Sequence, residues 1–396
     1  MTAGRPRVAV VGGSLGGVTA GIALADAGCD AVVFERSSSP LEERGAGIAV
    51  LDDTIRYLVE KEVVDPERIC TSTHWLRYLA PDGATRYEER RNYRFSSWNT
   101  IYRTYIGCLG EERYRLASEV TGFESGRSSV EVLFADGRIE RFDMLVGADG
   151  IGSTVRQVLL PAVQPAYAGY VAWRGTVPEH ALEPSTLSAH EDAITYQLLS
   201  DSHILVYPIP GKEGGVEPGA RLMNFVWYRN VSADEELAAL LTDREGQLRA
   251  SSLPPGAARD VYVRELREAA SEQLAPQIAE VVLRTERPFL QVVFDLEVSA
   301  MAFGRVCLSG DAAFTARPHA AAGTAKAAAN AWALGRAVAA ADGDVERALR
   351  DWEPSQLALG RNLVRRAREI GNRSQFEGSW VPGDPSLVFG LRGPGR

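Results

Sequence analysis

The chain has 396 residues, enough for two separate cores or for one large α/β body with an inserted sheet. Its formal net charge of −9 offers no basic surface to nucleic acid, and no apolar run approaches the roughly 18 residues that a membrane span needs. Four cysteines, Cys29, Cys70, Cys108 and Cys307, lack paired spacing and sit in or beside apolar segments, which points to buried thiols in a reducing, cytoplasmic compartment.

Residues 8–11 form a short apolar run bounded by glycine, the pattern of a central parallel strand. Leu15, Val18, Ile22 and Ala25 then recur at helical spacing, Gly28 closes that helix, and residues 31–34 read as a second strand with Glu35 at its carboxyl end. Gly12 and Gly17 take the outer positions of a G-x-G-x-x-G dinucleotide fingerprint, and Ser14 takes the middle one. A serine fits there if its φ stays negative, and its hydroxyl can bond a phosphate. The helix that opens at Leu15 supplies free N–H groups and a favourable dipole. Glu35 follows about 20 residues after the turn, where a carboxylate for a ribose hydroxyl is expected. A glycine-rich turn that binds nothing is the plain alternative, yet strand, helix, strand and acid in register favour a nucleotide.

After Arg36 the string LEERGAGIAV carries Arg44 and Gly45-Ala46-Gly47, a turn where bare backbone can approach a flat ligand. Residues 54–61 suggest a helix, with Tyr57 and Lys61 as an i,i+4 pair. Residues 74–93 alternate and break at Pro81-Asp82-Gly83, which predicts a hairpin and the departure of the chain into a second sheet. A short helix at 101–109 carries Arg103, and another hairpin is expected from 130–134 and 139–142. The string DMLVGADGIGSTVR then runs from a strand into Asp149 and Gly150, with Arg156 on the helix behind.

From 167 to about 293, alternation in YVAWRGTV, ITYQLL, HILVYPIP and LMNFVWY predicts four strands of a mainly antiparallel sheet, and a helical stretch follows at 259–283. Tyr170, Trp173, Tyr196, Tyr207, Phe225, Trp227 and Tyr228 gather there, mostly as core, with a few available to wall a pocket for a flat substrate. GRVCLSGD is a strand ending at Gly310-Asp311. Pro318 cannot continue a helix, so 317–322 reads as a loop, and a long Ala-rich helix starts near Gly323 with its positive end at that loop. Further helices extend to about 375, and a Gly/Pro-rich tail ends the chain. Arg361, Arg365, Arg366 and Arg368 read as a solvated helical face.

Three separated stretches, 12–35, 145–156 and 306–323, together resemble the FAD-dependent aromatic hydroxylases, the p-hydroxybenzoate hydroxylase group of single-component flavoprotein monooxygenases. Asp149, Gly150 and Arg156 match that group's second motif, and Gly310 to Ala313 its strand-G-D-A-A motif. YAGYVAWRG, YPIPG, RPHAAAG with the nearby AKA, and the closing PSLVFGL look like its dihydroxypyridine-hydroxylating branch. The resemblance implies an α/β fold: a Rossmann-like FAD-binding domain, an inserted mainly antiparallel substrate sheet, and C-terminal helices. The expected division is 1–73, 98–165 and 286–345 for the discontinuous FAD-binding domain, 74–97 and 166–285 for the substrate sheet, and 346–396 for C-terminal helices and tail.

By position, the resemblance assigns Gly12, Ser14, Leu15, Gly17, Glu35, Arg36, Gly47, Arg103, Asp149 and Asp311 to FAD. The group often has a glycine and an asparagine where this chain has Ala320 and Ala325, so backbone N–H groups of Ala321, Ala322 and Gly323 are left to serve the flavin ring. The implied reaction takes hydride from NADH or NADPH, which docks transiently, and passes oxygen from a flavin hydroperoxide to a hydroxylated ring. Small aromatic substrate and O2 are the implied partners, no metal is called for, and a homodimer is compatible with the pattern. An electron-rich ring reacts faster as its oxyanion, which makes His319 the candidate base, with Tyr170 and Tyr207 beside the substrate. Arg317 either orients an anionic substrate or pairs on the surface. A nicotinamide dehydrogenase or a non-catalytic flavin-binding redox protein are the rival readings; the first leaves the two later motifs without a purpose.

Overall fold

The apolar run at the start becomes the strand Arg7–Val11, which pairs in parallel with Asp30–Phe34 on one side and Met144–Gly147 on the other. Being flanked on both edges and covered on both faces, Val8, Ala9 and Val10 are wholly buried. In this computed structural model, which describes residues 5–41 and 47–393, the first sheet runs Ala302–Phe303, Val306–Leu308, Met144–Gly147, Arg7–Val11, Asp30–Phe34, Tyr114–Arg115. All its pairings are parallel except the first. The Leu15–Asp26 helix packs against the Gly323–Ala340 helix so closely that a Cβ on Gly335 would come within 2.6 Å of the Ala23 carbonyl.

The hairpin break at Pro81 to Gly83 joins Thr71–Leu79 to Thr85–Ser97, and the chain does enter a second, ten-stranded sheet there. The four alternating strings form Ala166–Pro178, Ala193–Leu198, His203–Ile209 and Leu222–Asn230. Every pairing in this sheet is antiparallel except that of Ala193–Leu198 with Thr71–Leu79. Alternation sends successive side chains to opposite faces. Val171, Trp173, Phe225 and Trp227 pack with residues of the Asp260–Gln273 and Pro276–Arg284 helices, while Tyr170, Ala172, Tyr207 and Tyr228 face the other way.

Two strands that lie within the segments 1–73 and 286–345 assigned to the first domain pair in this second sheet. Gly47–Ala49 pairs with Thr85–Ser97, and Phe289–Glu297 pairs with Ala166–Pro178. A short apolar run announces a strand and says nothing of its partner. The 130–142 hairpin forms as expected but gains a third strand, Val120–Ser125. The expected C-terminal helices are chiefly one 28-residue helix, Val345–Asn372, after which the tail turns back over the second sheet.

Nor are the arginines of that helix simply solvated. Arg366 donates to the carbonyls of Val388, Gly390 and Leu391, and Arg368 pairs with Asp295 at 3.1 Å. Cys29, Cys70 and Cys307 are buried and all four thiols are free. Among the described residues no helix is long and apolar enough to cross a membrane.

Candidate active site

Four parallel strands end side by side, at Val11, Phe34, Gly147 and Leu308. The residues that follow them, Gly12, Glu35, Ala148 and Ser309, line one cleft of about 300 Å3, at the carboxyl edge where open α/β sheets bind ligands. Gly12 has φ +104°, and a Cβ there would lie 2.5 Å from the Ala148 carbonyl oxygen. A Cβ on Gly17 would strike the Gly12 carbonyl, so strand and helix approach only through glycine. Ser14 sits at φ −76° as the N-cap of Leu15–Asp26, and its hydroxyl makes no capping bond. It is exposed in the cleft, where a phosphate oxygen can meet it.

Glu35 is buried. Its carboxylate accepts from the Gly13 and Ser37 N–H groups, both at 2.8 Å, which holds the turn and aims the carboxylate at the cleft. Tyr114 locks the same turn by donating to the Gly13 carbonyl at 2.9 Å.

A second cavity of about 220 Å3 lies between the first domain and the polar-aromatic face of the second sheet. Tyr93, Tyr196, Tyr207, Tyr228, Trp380 and Phe389 wall it, and the loop at Pro318 and His319 closes one end. Asp311, Gly323 and Thr324 line both cavities, so the two adjoin.

An FAD binding domain-like family matches residues 167–295, within the second sheet. A 2,6-dihydroxypyridine 3-monooxygenase of Paenarthrobacter nicotinovorans is 37% identical over 97% of this chain and 96% of its own. The structure of 2,6-dihydroxypyridine-3-hydroxylase from Arthrobacter nicotinovorans superposes with a TM-score of 0.93 at 35% identity, covering 100% of this chain and 98% of that one. A 3-amino-4-hydroxybenzoate 2-monooxygenase of Streptomyces platensis is 28% identical over 93% of this chain and 88% of its own. The chain belongs to the FAD-dependent aromatic hydroxylases.

FAD is the hydroxylase's cofactor, and the cleft fits it: a glycine cradle, an uncommitted Ser14 hydroxyl, and two helix N-termini at Leu15 and Gly323 converge on one cleft. Leu15 and Arg36 line the cleft as expected, with Arg36 exposed at its rim. Arg103 is exposed on the Trp98–Leu109 helix and is not among the cleft-lining residues; Trp98, at the start of that helix, is. Asp149 does line the cleft, but its carboxylate accepts from Ser153 at 2.5 Å and from the Val155 N–H at 3.2 Å, capping the Thr154–Leu159 helix. Arg156, wholly buried, donates to the carbonyls of Ile151 and Ala312 and thereby ties the second motif to the third.

The turn expected at Arg44, Gly45 and Ala46 lies outside the described residues. Gly47 lines the aromatic cavity rather than the nucleotide cleft. Its N–H donates to Asn224 at 3.0 Å, and its carbonyl accepts from Tyr207 at 2.9 Å and Arg174 at 2.6 Å.

Around the 317–322 loop the structure corrects several expectations. Arg317 is a buried ion pair, neither a substrate clamp nor a surface contact: it bonds both oxygens of Asp295 and reaches Asn372 at 2.8 Å. Ala321 is left-handed at φ +55°, and its N–H is taken by the Pro318 carbonyl at 2.9 Å. That leaves Ala322 and Gly323 as backbone donors at the head of the long helix.

Tyr170 does not wall the cavity. It stands behind His319, with 2.6 Å between its hydroxyl and Nε2, and a Cβ on Gly371 would lie 2.7 Å from the same hydroxyl. His319 lines the cavity but is buried, which pushes its pKa well below the ordinary value; His203 and Arg317 push it the same way. A base that titrates near neutrality, the sequence-based expectation, is therefore not what this site holds.

Arg174, Tyr93, Trp380 and Phe389 were not singled out from sequence as site residues. A signal existed for Arg174, which is four residues after Tyr170 on one strand and so shares its face. None existed for Trp380, and for Phe389 only the closing PSLVFGL string; both reach the cavity because the tail folds back, with Gly390 donating to the Ala320 carbonyl at 2.8 Å.

Proposed function

We propose that this hydroxylase adds one oxygen atom to a monocyclic hydroxypyridine, with a dihydroxypyridine as the first candidate. The observation that carries this reading is the aromatic cavity adjoining the nucleotide cleft at Asp311, Gly323 and Thr324. At about 220 Å3 it is suited to a single substituted ring, since a dry cavity of about 150 Å3 holds a benzene. The name of the 37% identical relative and the four short strings quoted above support the hydroxypyridine assignment.

Bound FAD supplies the redox chemistry, accepting hydride from NADH or NADPH and activating O2. Overall, ring C–H, O2, NAD(P)H and a proton give ring C–OH, NAD(P)+ and water. Ser14 and the N–H groups at Leu15 would hold the pyrophosphate, while Glu35 and Arg36 would hold the adenosine. Asp311 would meet the ribityl chain. Ala322 and Gly323 would direct their N–H groups, with the helix dipole, at the edge of the ring system that becomes anionic on reduction; a helix N-terminus stabilises such charge by roughly 0.3–2 kcal/mol. Tyr207 orders the cavity wall by its bond to Gly47. The aromatic walls exclude water around the reacting ring. The free thiols support a reducing, cytoplasmic setting.

FAD-loaded protein screened against hydroxypyridines and hydroxybenzenes tests the assignment, with NADH and NADPH oxidation followed and products weighed. A hydroxypyridine is expected to accelerate oxidation and to gain one oxygen. If only hydroxybenzenes do so, the substrate class is wrong.

A further inference from the structure

We propose that Arg174 receives the ring as a preformed oxyanion, so that the aromatic cavity works without a base of its own. The inference rests on the aromatic-hydroxylase reading of this cavity and adds the ionic form of its substrate.

Among the described residues, two charged side chains line the cavity, Arg174 and Asp311. Asp311 is already neutralised by Lys326, whose ammonium lies 2.6 Å from its carboxylate. Arg174 is different. Its guanidinium donates to two neutral oxygens, the Gly47 carbonyl at 2.6 Å and Gln291 Oε1 at 3.0 Å, and its Nε has no partner among the described residues. Phe289 lies beneath it, 5.8 Å from ring centroid to guanidinium carbon. No carboxylate pairs with it among the described residues. A half-buried cation held in place without a counter-ion is an anion site in waiting. Arg317 makes the contrast: Asp295 engages it through both oxygens, and nothing remains to recruit an anion.

The groups that could take a proton from the ring are few. Tyr196, Tyr207 and Tyr228 line the cavity, and burial raises the pKa of each phenol, outweighing the opposite pull of Arg174 on Tyr207 and Tyr228; Tyr93 is raised mainly by burial too. Burial holds His203 at about 3. His319 faces Tyr170, Tyr228, His203 and Arg317, and none of these is an acid that would favour its charged form. Its Nδ1 has no partner among the described residues and is left to bond a ring oxygen or nitrogen. A proton on the ring thus finds no base of suitable strength in the cavity walls, and the cation favours the ring that has already left its proton to solvent.

The test uses FAD-loaded protein and a hydroxypyridine that it turns over. First, the ultraviolet spectrum of the bound ring is recorded one pH unit below its pKa in solution. The oxyanion spectrum is expected, corresponding to at least a tenfold shift of the ionisation; a neutral-ring spectrum overturns the proposal. Second, kcat/KM is measured against pH for two turned-over rings whose pKa values differ by one unit or more. The acid limb is expected to move with the ring, and a limb fixed at one pH for both rings overturns it. Arg174→Gln should raise the Kd of the oxyanion at least tenfold while leaving flavin content intact, and Arg174→Lys should recover most of that loss. Should Arg174→Gln fail to fold, Arg174→Lys and the two wild-type measurements still decide. If no ring is turned over at all, the hydroxylase assignment has failed rather than the ionic one.

Discussion

The nucleotide cleft and the aromatic cavity share three residues and little else. The cleft is built by backbone: positive φ at Gly12, contact-limited packing at Gly17, N–H groups at a helix start, and a carboxylate already bound to the Gly13 and Ser37 N–H groups. Most of that lies within 12–37. The cavity is built by side chains from strands, a loop and a tail as distant as Gly47 and Phe389, and among the described residues its single uncompensated charge is a strand arginine. Errors in the first should therefore abolish cofactor binding outright. Errors in the second should alter which ring is accepted and how well its oxidation is coupled.

Gly17→Ala gives the largest expected effect. Its Cβ would meet backbone, the Gly12 carbonyl, which cannot swing aside. Strain of about 1–3 kcal/mol is expected from such overpacking, and at 1.4 kcal/mol per tenfold it should cut FAD affinity about fivefold to a hundredfold. Flavin absorbance per chain after purification reads this; a variant that stays fully yellow would break the contrast drawn above.

Acid should act on the other region. His190, His203 and His319 all belong to the second sheet or the loop facing it, and burial lowers each from 6.5, His190 to about 4 and His203 to about 3. The folded chain keeps them neutral while the unfolded chain protonates them, so their stability is whole above pH 6.5 and is lost as pH falls toward 4. Each can contribute up to about 1.4 kcal/mol of lost stability per pH unit in that window. Thermal unfolding followed from pH 7.5 to 5 should show a falling midpoint. A flat midpoint would mean that these imidazoles are hydrated.

Gly47→Ala should spare the flavin and damage the ring site. A Cβ there would lie 2.7 Å from Tyr207 and 2.8 Å from Ile209, so the wall must move. A roughly tenfold rise in KM for the ring is expected, the scale of about 1–3 kcal/mol of overpacking. Loss of flavin instead would place Gly47 in the cofactor site.

Arg366→Met is the mildest. It releases three tail carbonyls near Phe389 and Gly390, and with them the wall over the cavity. The bonds are partly exposed, so about 1 kcal/mol is at stake. KM should rise a few-fold and peroxide release per NAD(P)H oxidised should increase, with flavin content unchanged.

Arg366 and Arg317 show why reading a face from sequence has a limit. Arg366 lies in a polar run and Arg317 in an Ala-rich loop, and both became fixed by partners 22 residues or more away. His319 was chosen rightly for place and wrongly for ionisation, because its pKa is decided by what buries it. Asp149 matched its motif and turned out to cap a helix inside the cleft.

What the amino-acid order determined alone is whatever depends on neighbours along the chain: the turn at Gly12, the helix from Leu15, the hairpin at Pro81 to Gly83, the alternating strands, and the break before Gly323. Backbone sterics and side-chain periodicity act over a few residues, so those features are written locally. The tertiary structure alone decided that Phe289–Glu297 joins the second sheet, that Trp380 and Phe389 wall the cavity, that Tyr170 stands behind His319, and that Arg174 has no acid beside it among the described residues. Each of these is a matter of partner and burial, and both are set by segments that meet only when the chain has folded.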